Sequence, residues 1–123
     1  MNFRLRTSKY VEEKLKLLQA STNLTPNILS RIAVSLSLKI PEKPDPSLIR
    51  DSNGIEFNRN TLTGEFDYVY KALITQHAKT EIADEEYFPD LFNAHLERGI
   101  EILDNEYKHA GNYEKLIINL LQK

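Results

Sequence analysis

The chain has 123 residues, 41% hydrophobic and 28% charged, with no cysteine, no tryptophan and a net charge of −2. That length suits one domain with a modest core, and the balance excludes a disordered chain and a membrane span, since no apolar run approaches about 20 residues. Without cysteine there is no disulfide, thiolate metal site or cysteine nucleophile, and with no apolar stretch behind the N-terminal arginines the expectation is a cytoplasmic protein.

The first element is a short alternating strand, Phe3-Arg4-Leu5-Arg6, with Phe3 and Leu5 on one face and Arg4 and Arg6 on the other. A helix follows over about 8–20, its stripe formed by Val11, Leu15 and Leu18. Lys14 falls inside that apolar arc, where it must snorkel to water or meet an anion. Thr25 supplies a capping hydroxyl and Pro26 an N1 residue for a second helix reaching about Ile40. This helix carries Ile28, Leu29, Ile32, Ala33, Leu36 and Ile40 on one broad face and Val34 and Leu38 on the other. Apolar residues on two faces predict burial on two sides, by another subunit or by the C-terminal helices of the same chain. The first alternative makes Ile32, Val34, Leu36 and Leu38 the candidate oligomer seam.

Pro41, Pro44 and Pro46 then impose an extended connector. Turns at Ser52-Asn53-Gly54 and Thr63-Gly64 frame Ile55-Glu56-Phe57, a short strand or packed loop. Three helical stretches follow: one over about 65–79, a longer one starting between Asp84 and Pro89 and closing at Gly111, and a last one capped by Asn112. The fold expected is mainly α in a single domain, 1–123. Its N-terminal segment, 1–40, is ribbon-helix-helix-like, and its C-terminal half, 65–122, is helical. In ribbon-helix-helix proteins two such strands pair across a dimer and present side chains to DNA.

Charge is unevenly divided. Residues 1–50 hold nine basic and four acidic residues, a net +5, and the remainder holds seven and fourteen, a net −7. A basic front on an acidic body points an anion-binding face one way. The outward candidates on the strand are Asn2, Arg4 and Arg6. The start of the second helix adds Thr25, Asn27 and free backbone N–H groups as a phosphate anchor. Lys9, Lys14, Lys16, Arg31, Lys39 and Lys43 extend the candidate DNA-contact set. The plainer alternative is an edge strand kept soluble by its charges.

Little supports chemistry of the chain's own. The histidines, His77, His95 and His109, include no pair at the spacing of a helical zinc site, and His77 and His95 fit core or boundary positions better. Asp84, Glu85 and Glu86 suit a helix start and need no metal. There is no Gly-rich phosphate loop and no nucleophile elbow. The expectation is a protein that is not an enzyme and takes no cofactor or metal.

The run Phe3-Arg4-Leu5-Arg6-Thr7-Ser8, then Leu15-Lys16-Leu17-Leu18 and Leu24-Thr25-Pro26-Asn27-Ile28-Leu29-Ser30-Arg31-Ile32-Ala33, resembles the DNA sulfur modification family DndE. The likeness continues through Asp51 to Asn58, Asn60 to Glu65 and His95-Leu96-Glu97-Arg98-Gly99. It implies a component of DNA phosphorothioation, in which sulfur replaces a non-bridging oxygen of the backbone. The implied role is a helical, oligomeric DNA binder, with a tetramer among its states and nicked duplex among its ligands, working beside other components that mobilise sulfur. Absence of cysteine agrees, because this chain cannot carry a persulfide. Two rivals are a ribbon-helix-helix transcriptional regulator and a protein adaptor docking an acidic partner.

Overall fold

The computed structural model describes residues 3–122. It is mainly helical, with one two-stranded sheet. Strand β1 (Arg4–Arg6) pairs antiparallel with β2 (Glu56–Asn58), setting Leu5 opposite Phe57, Arg4 opposite Asn58 and Arg6 opposite Glu56. Alternation buries Leu5 and Phe57 and turns the polar residues outward.

Ser8 caps α1 (Lys9–Thr22), its hydroxyl accepting from the Val11 N–H at 3.1 Å, and Asn23 closes the helix in the left-handed region at φ 63°. Val11, Leu15 and Leu18 are fully buried, as their spacing predicts. Thr25 caps and Pro26 opens α2 (Pro26–Ser37), which ends before the expected Ile40 as the chain tightens into turns ahead of Pro41. The connector includes one 3-10 turn at Pro46–Leu48.

The helix read over about 65–79 is present as a single helix over residues 67–78, with a short extra helix before it. A short α3 (Arg59–Thr63) capped by Asn58 leads through Gly64, at φ 60°, into a 3-10 turn and then α4 (Asp67–Ala78). The next helix starts later than expected. An irregular turn over Glu86–Leu91 contains a cis Phe88–Pro89 bond, and α5 (Phe92–Ala110) begins beyond it. Gly111 ends α5 at φ 82°, and Asn112 caps α6 (Tyr113–Leu121) by accepting from the Lys115 N–H.

The core is built on α2 against α5. Leu29, Ala33 and Val34 of α2 meet Phe92, Leu96, Ile100 and Leu103 of α5, with Leu15 and Leu18 of α1, Ile74 of α4 and Leu116 of α6 closing it. Each fully buried Leu, Ile or Phe side chain contributes about 1.5–3 kcal/mol. The two helices touch at Gly99: a Cβ there would fall on the carbonyl of Ala33, far inside van der Waals contact. A hydrogen at that position is what lets the backbones approach.

This packing decides between the two ways of covering α2. Val34 is fully buried and Leu36 is 7% exposed within one chain, so neither is available as a subunit seam. Helices of the same chain cover the second face. Ile32 and Leu38 remain half-buried.

Candidate nucleic-acid interface

The strand is the first test of the predicted contact set. Arg4 and Arg6 do project from one exposed face of the sheet, and Asn2 lies outside the described residues. Their shared neighbour is Glu56 of β2, which accepts from Arg4 at 2.7 Å and from Arg6 at 3.4 Å, while Arg6 also donates to the Gly54 carbonyl at 3.1 Å. These pairs are well exposed (71% and 49% for the arginines), so each contributes at most about 1 kcal/mol and a phosphate can displace it. The strand's partner is within the chain. Leu5 hydrogen-bonds toward β2, and the Arg6 carbonyl on the other edge accepts from the Asn93 side chain at 3.1 Å. The strand–helix–helix order is therefore as expected, but residues 56–58 take the place expected for a dimer mate's strand.

The lysines of α1 divide. Lys9 and Lys16 are exposed and both reach Glu12, at 2.6 and 3.7 Å. Lys14 is only 20% exposed; it lies over the Tyr10 ring and pairs with Asp104 of α5 at 3.1 Å, an anion it shares with Lys108. The anion its position demanded is internal, so Lys14 ties α1 to α5 and leaves the exposed track.

Thr25 is at the cap of α2, exposed, with its hydroxyl accepting from the Ile28 N–H at 3.4 Å, and Asn27 is half-buried beside it. This anchor is not next to the strand arginines. The 14 residues of α1 stand between them, a rod of about 21 Å.

Arg31, Lys39 and Lys43 behave differently from the cations before them. Among the described residues none of the three has an ion pair or a side-chain hydrogen bond, although Asp45 lies within electrostatic reach of Lys43. Arg31 and Lys39 line the same side of α2 and its exit. Outside the expected set, Lys79 and Lys115 are also without a carboxylate partner among the described residues.

Three cations that the sequence left unremarked hold the scaffold. Arg50 stacks on the Tyr10 ring at 3.8 Å and pairs with Glu97, pinning the connector to α5. Arg98 donates to the Ser37 hydroxyl and to the carbonyls of Ser37 and Glu42, gripping the end of α2. Arg59, 4% exposed, forks to Asp67 and Asp84 at 2.8–3.0 Å. The hydrogen bond from Arg59 holds the Asp84 carboxyl far below its usual range, with Lys71 adding to it. Burial alone would raise Asp67, but Arg59, Tyr87 and Thr63 outweigh it and hold it low. The acid considered as a helix-start residue is thus an internal anion for a buried arginine. Among the described residues no group of three or more His, Asp or Glu is placed to hold a metal.

His77 and His95 meet edge to face, with ring centroids 5.0 Å apart. Arg98 donates to the Ser37 oxygen, so the Ser37 proton goes to His95 Nδ1 at 2.8 Å, and His77 Nε2 donates to the Ile40 carbonyl at 2.6 Å. Burial, with His77 and Arg98 nearby, pushes the His95 pKa down to about 3. A base with a depressed folded pKa is protonated first in the unfolded chain, so stability is full above about pH 6.5 and falls as pH drops toward 3. Thermal unfolding at stepped pH should show a loss of about 1.4 kcal/mol per unit in the part of that window above about pH 4.5, where carboxyls stay ionised, and His95→Asn, which keeps an acceptor for Ser37, should lack it.

No helix is long and apolar enough to cross a membrane among the described residues. No curated protein matches the chain. Among solved structures it is similar to the crystal structure of DndE from Escherichia coli B7A involved in DNA phosphorothioation modification, at 24% identity and a TM-score of 0.66, covering 84% of this chain and 98% of that one. A DndE mutant involved in DNA phosphorothioation matches equally, at 24% identity and 0.66, covering 85% and 99%. These likenesses show the fold. The family model for DNA sulphur modification protein DndE matches residues 4–111, from the first strand to the glycine that ends α5, and the chain belongs to that family.

Proposed function

We propose that this protein is a non-catalytic, DNA-binding component of the phosphorothioation machinery, holding duplex DNA on a basic surface while other components of the system carry out sulfur insertion in the cytoplasm. The observation that carries the reading is the sorting of cations. Most basic residues are matched to carboxylates of the same chain, whereas Arg31, Lys39 and Lys43 follow one another along α2 and its exit without an ion pair among the described residues. Unmatched, accessible cations in a row are what a phosphate backbone neutralises with release of its counterions. Arg4 and Arg6, whose partner Glu56 is exposed, supply a second patch on the strand.

Oligomerisation is part of the proposal. Phe66, Tyr68 and Leu73 near α4 and Ile118 and Leu121 on α6 are exposed apolar side chains, and Leu38 borders Leu73 in a shallow depression. That is the surface a second copy would cover. Multiplying a few phosphate contacts per subunit gives strong, salt-dependent binding.

Fluorescence anisotropy with random-sequence duplex, intact and nicked, across about 50–200 mM salt tests this. Affinity should fall linearly on logarithmic axes. The Arg31→Ala/Lys39→Ala/Lys43→Ala variant should bind more weakly at every sequence and flatten the slope by about 2–3. Glu56→Gln should tighten binding by releasing Arg4 and Arg6. No binding by the wild-type protein at the lowest salt sinks the reading. A ribbon-helix-helix regulator would instead prefer one short palindrome, whereas in this chain β1 already has a partner strand in β2.

A further inference from the structure

Between α2, α4 and α6 lies an open groove of about 370 Å3, within the size range of small-ligand pockets. Its floor is apolar, from Ile28 and Ile32 of α2, Tyr70 of α4 and Leu120 of α6. Its rim is cationic. Arg31, half-buried, and Lys39, exposed just beyond the end of α2, both line it, and no carboxylate does among the described residues. Tyr70 lies within the field of Arg31, which opposes the upward push of burial on its phenol.

An occupant that covered the floor would take Arg31 out of water, and a desolvated guanidinium needs an anion. A second copy seated symmetrically on the groove would bring like charges together, and one inserting only apolar side chains would leave Arg31 buried and unmatched. The occupant must be flat and apolar over the floor and anionic at the rim. Arg31 and Lys39 are two of the three cations proposed above to meet DNA, so that is the anionic partner the groove faces; Lys43 lines a separate depression beside Arg50 and Arg98.

We propose that the groove receives a nucleotide displaced from the DNA stack, its base on Ile28, Ile32, Tyr70 and Leu120 and its flanking phosphates on Arg31 and Lys39. The inference rests on the DNA-binding reading and adds to it a preference for DNA in which one base is free to leave the helix. Aromatic and apolar platforms with neighbouring cations hold unstacked bases in a sequence-tolerant way.

The test compares a fully paired duplex with the same duplex carrying one extrahelical 2-aminopurine, by anisotropy and by 2-aminopurine emission. The wild-type protein should prefer the bulged duplex by roughly tenfold and change the emission of the probe. Ile32→Gln should lose the preference and the emission change while keeping its affinity for paired duplex. Ile28→Gln, at a more exposed position, gives the same reading should Ile32→Gln fail to fold. Equal affinity for both duplexes with unchanged emission overturns the inference and leaves DNA binding intact. No binding to either duplex overturns both. A change in oligomeric mass of Ile32→Gln by light scattering, without a bulge preference in the wild type, would assign the groove to a second copy and overturn the inference. Retention of the wild type on an immobilised acidic, leucine-bearing peptide, lost in Ile32→Gln and again without bulge preference, would assign it to a protein partner and overturn it equally.

Discussion

Gly99→Ala should destabilise the protein by at least about 3 kcal/mol, a larger effect than most single methyl additions produce. The added carbon would coincide with the Ala33 carbonyl at the crossing of α2 and α5, the most extensive helix contact in the molecule. Alanine also gains about 1 kcal/mol over glycine in helix propensity, so the sign rests on which term is larger. Backbone at the contact cannot rotate away as a side-chain tip can. The helices must part, loosening Leu29, Val34, Leu96 and Ile100 together. Urea unfolding measures the cost. A variant as stable as the parent would show that the α2–α5 crossing is looser than the structure has it.

Arg59→Ala should cost about 3–5 kcal/mol at neutral pH, the range for breaking a buried ion pair from one side. Two carboxylates, Asp67 and Asp84, would lose the guanidinium that matches them, and Lys71 reaches only Asp84. The pH profile carries the sharper signature. In the parent both carboxyls have lowered pKa values, so they stabilise the fold above about pH 4 and lose that contribution as acid protonates them. Without Arg59 their pKa values rise, so the loss below pH 4 should flatten or reverse. Arg59→Ala with an unchanged acid limb would mean that the cluster is not what depresses those carboxyls. The phenol of Tyr87, raised by burial and by Asp67, belongs to the same cluster and donates to the Asp67 carboxylate at 3.0 Å.

What the sequence made legible was local. Ser8, Thr25-Pro26, Gly111 and Asn112 each mark a helix end within a few residues of themselves, and each lies where its chemistry requires. The alternation likewise identified the strand and its outward arginines, although Phe3, expected beside Leu5 on the inner face, lies before β1 and is 50% exposed. Ion-pair partners are another matter. Lys14 meets Asp104 and Arg4 meets Glu56 across most or half of the chain, and no spacing rule connects them. Charge counting therefore gave ten cations and polar caps equal standing, while the fold divides them into matched and unmatched. One available signal was Gly99, a glycine inside an apolar helical stripe, which marks a close approach. In the fold that approach is to Ala33 of α2, next to the buried Val34. Arg59 and Arg98 had no such marker, since neither lies in a pattern that distinguishes a buried arginine from a solvated one.

The grip of Arg98 on α2 has a consequence for the charge the molecule shows to its surroundings. A helix C-terminus carries a partial negative charge and ordinarily draws a nearby lysine onto its last carbonyls. Here α2 has no basic residue in its last turn, and the guanidinium of α5 bonds the Ser37 carbonyl at 2.9 Å and the Glu42 carbonyl at 2.7 Å. The negative pole is quenched from inside the protein. Lys39 and Lys43, the nearest candidates for that task, are relieved of it, and both stay exposed at the exit of α2, interleaved with Glu42 and Asp45.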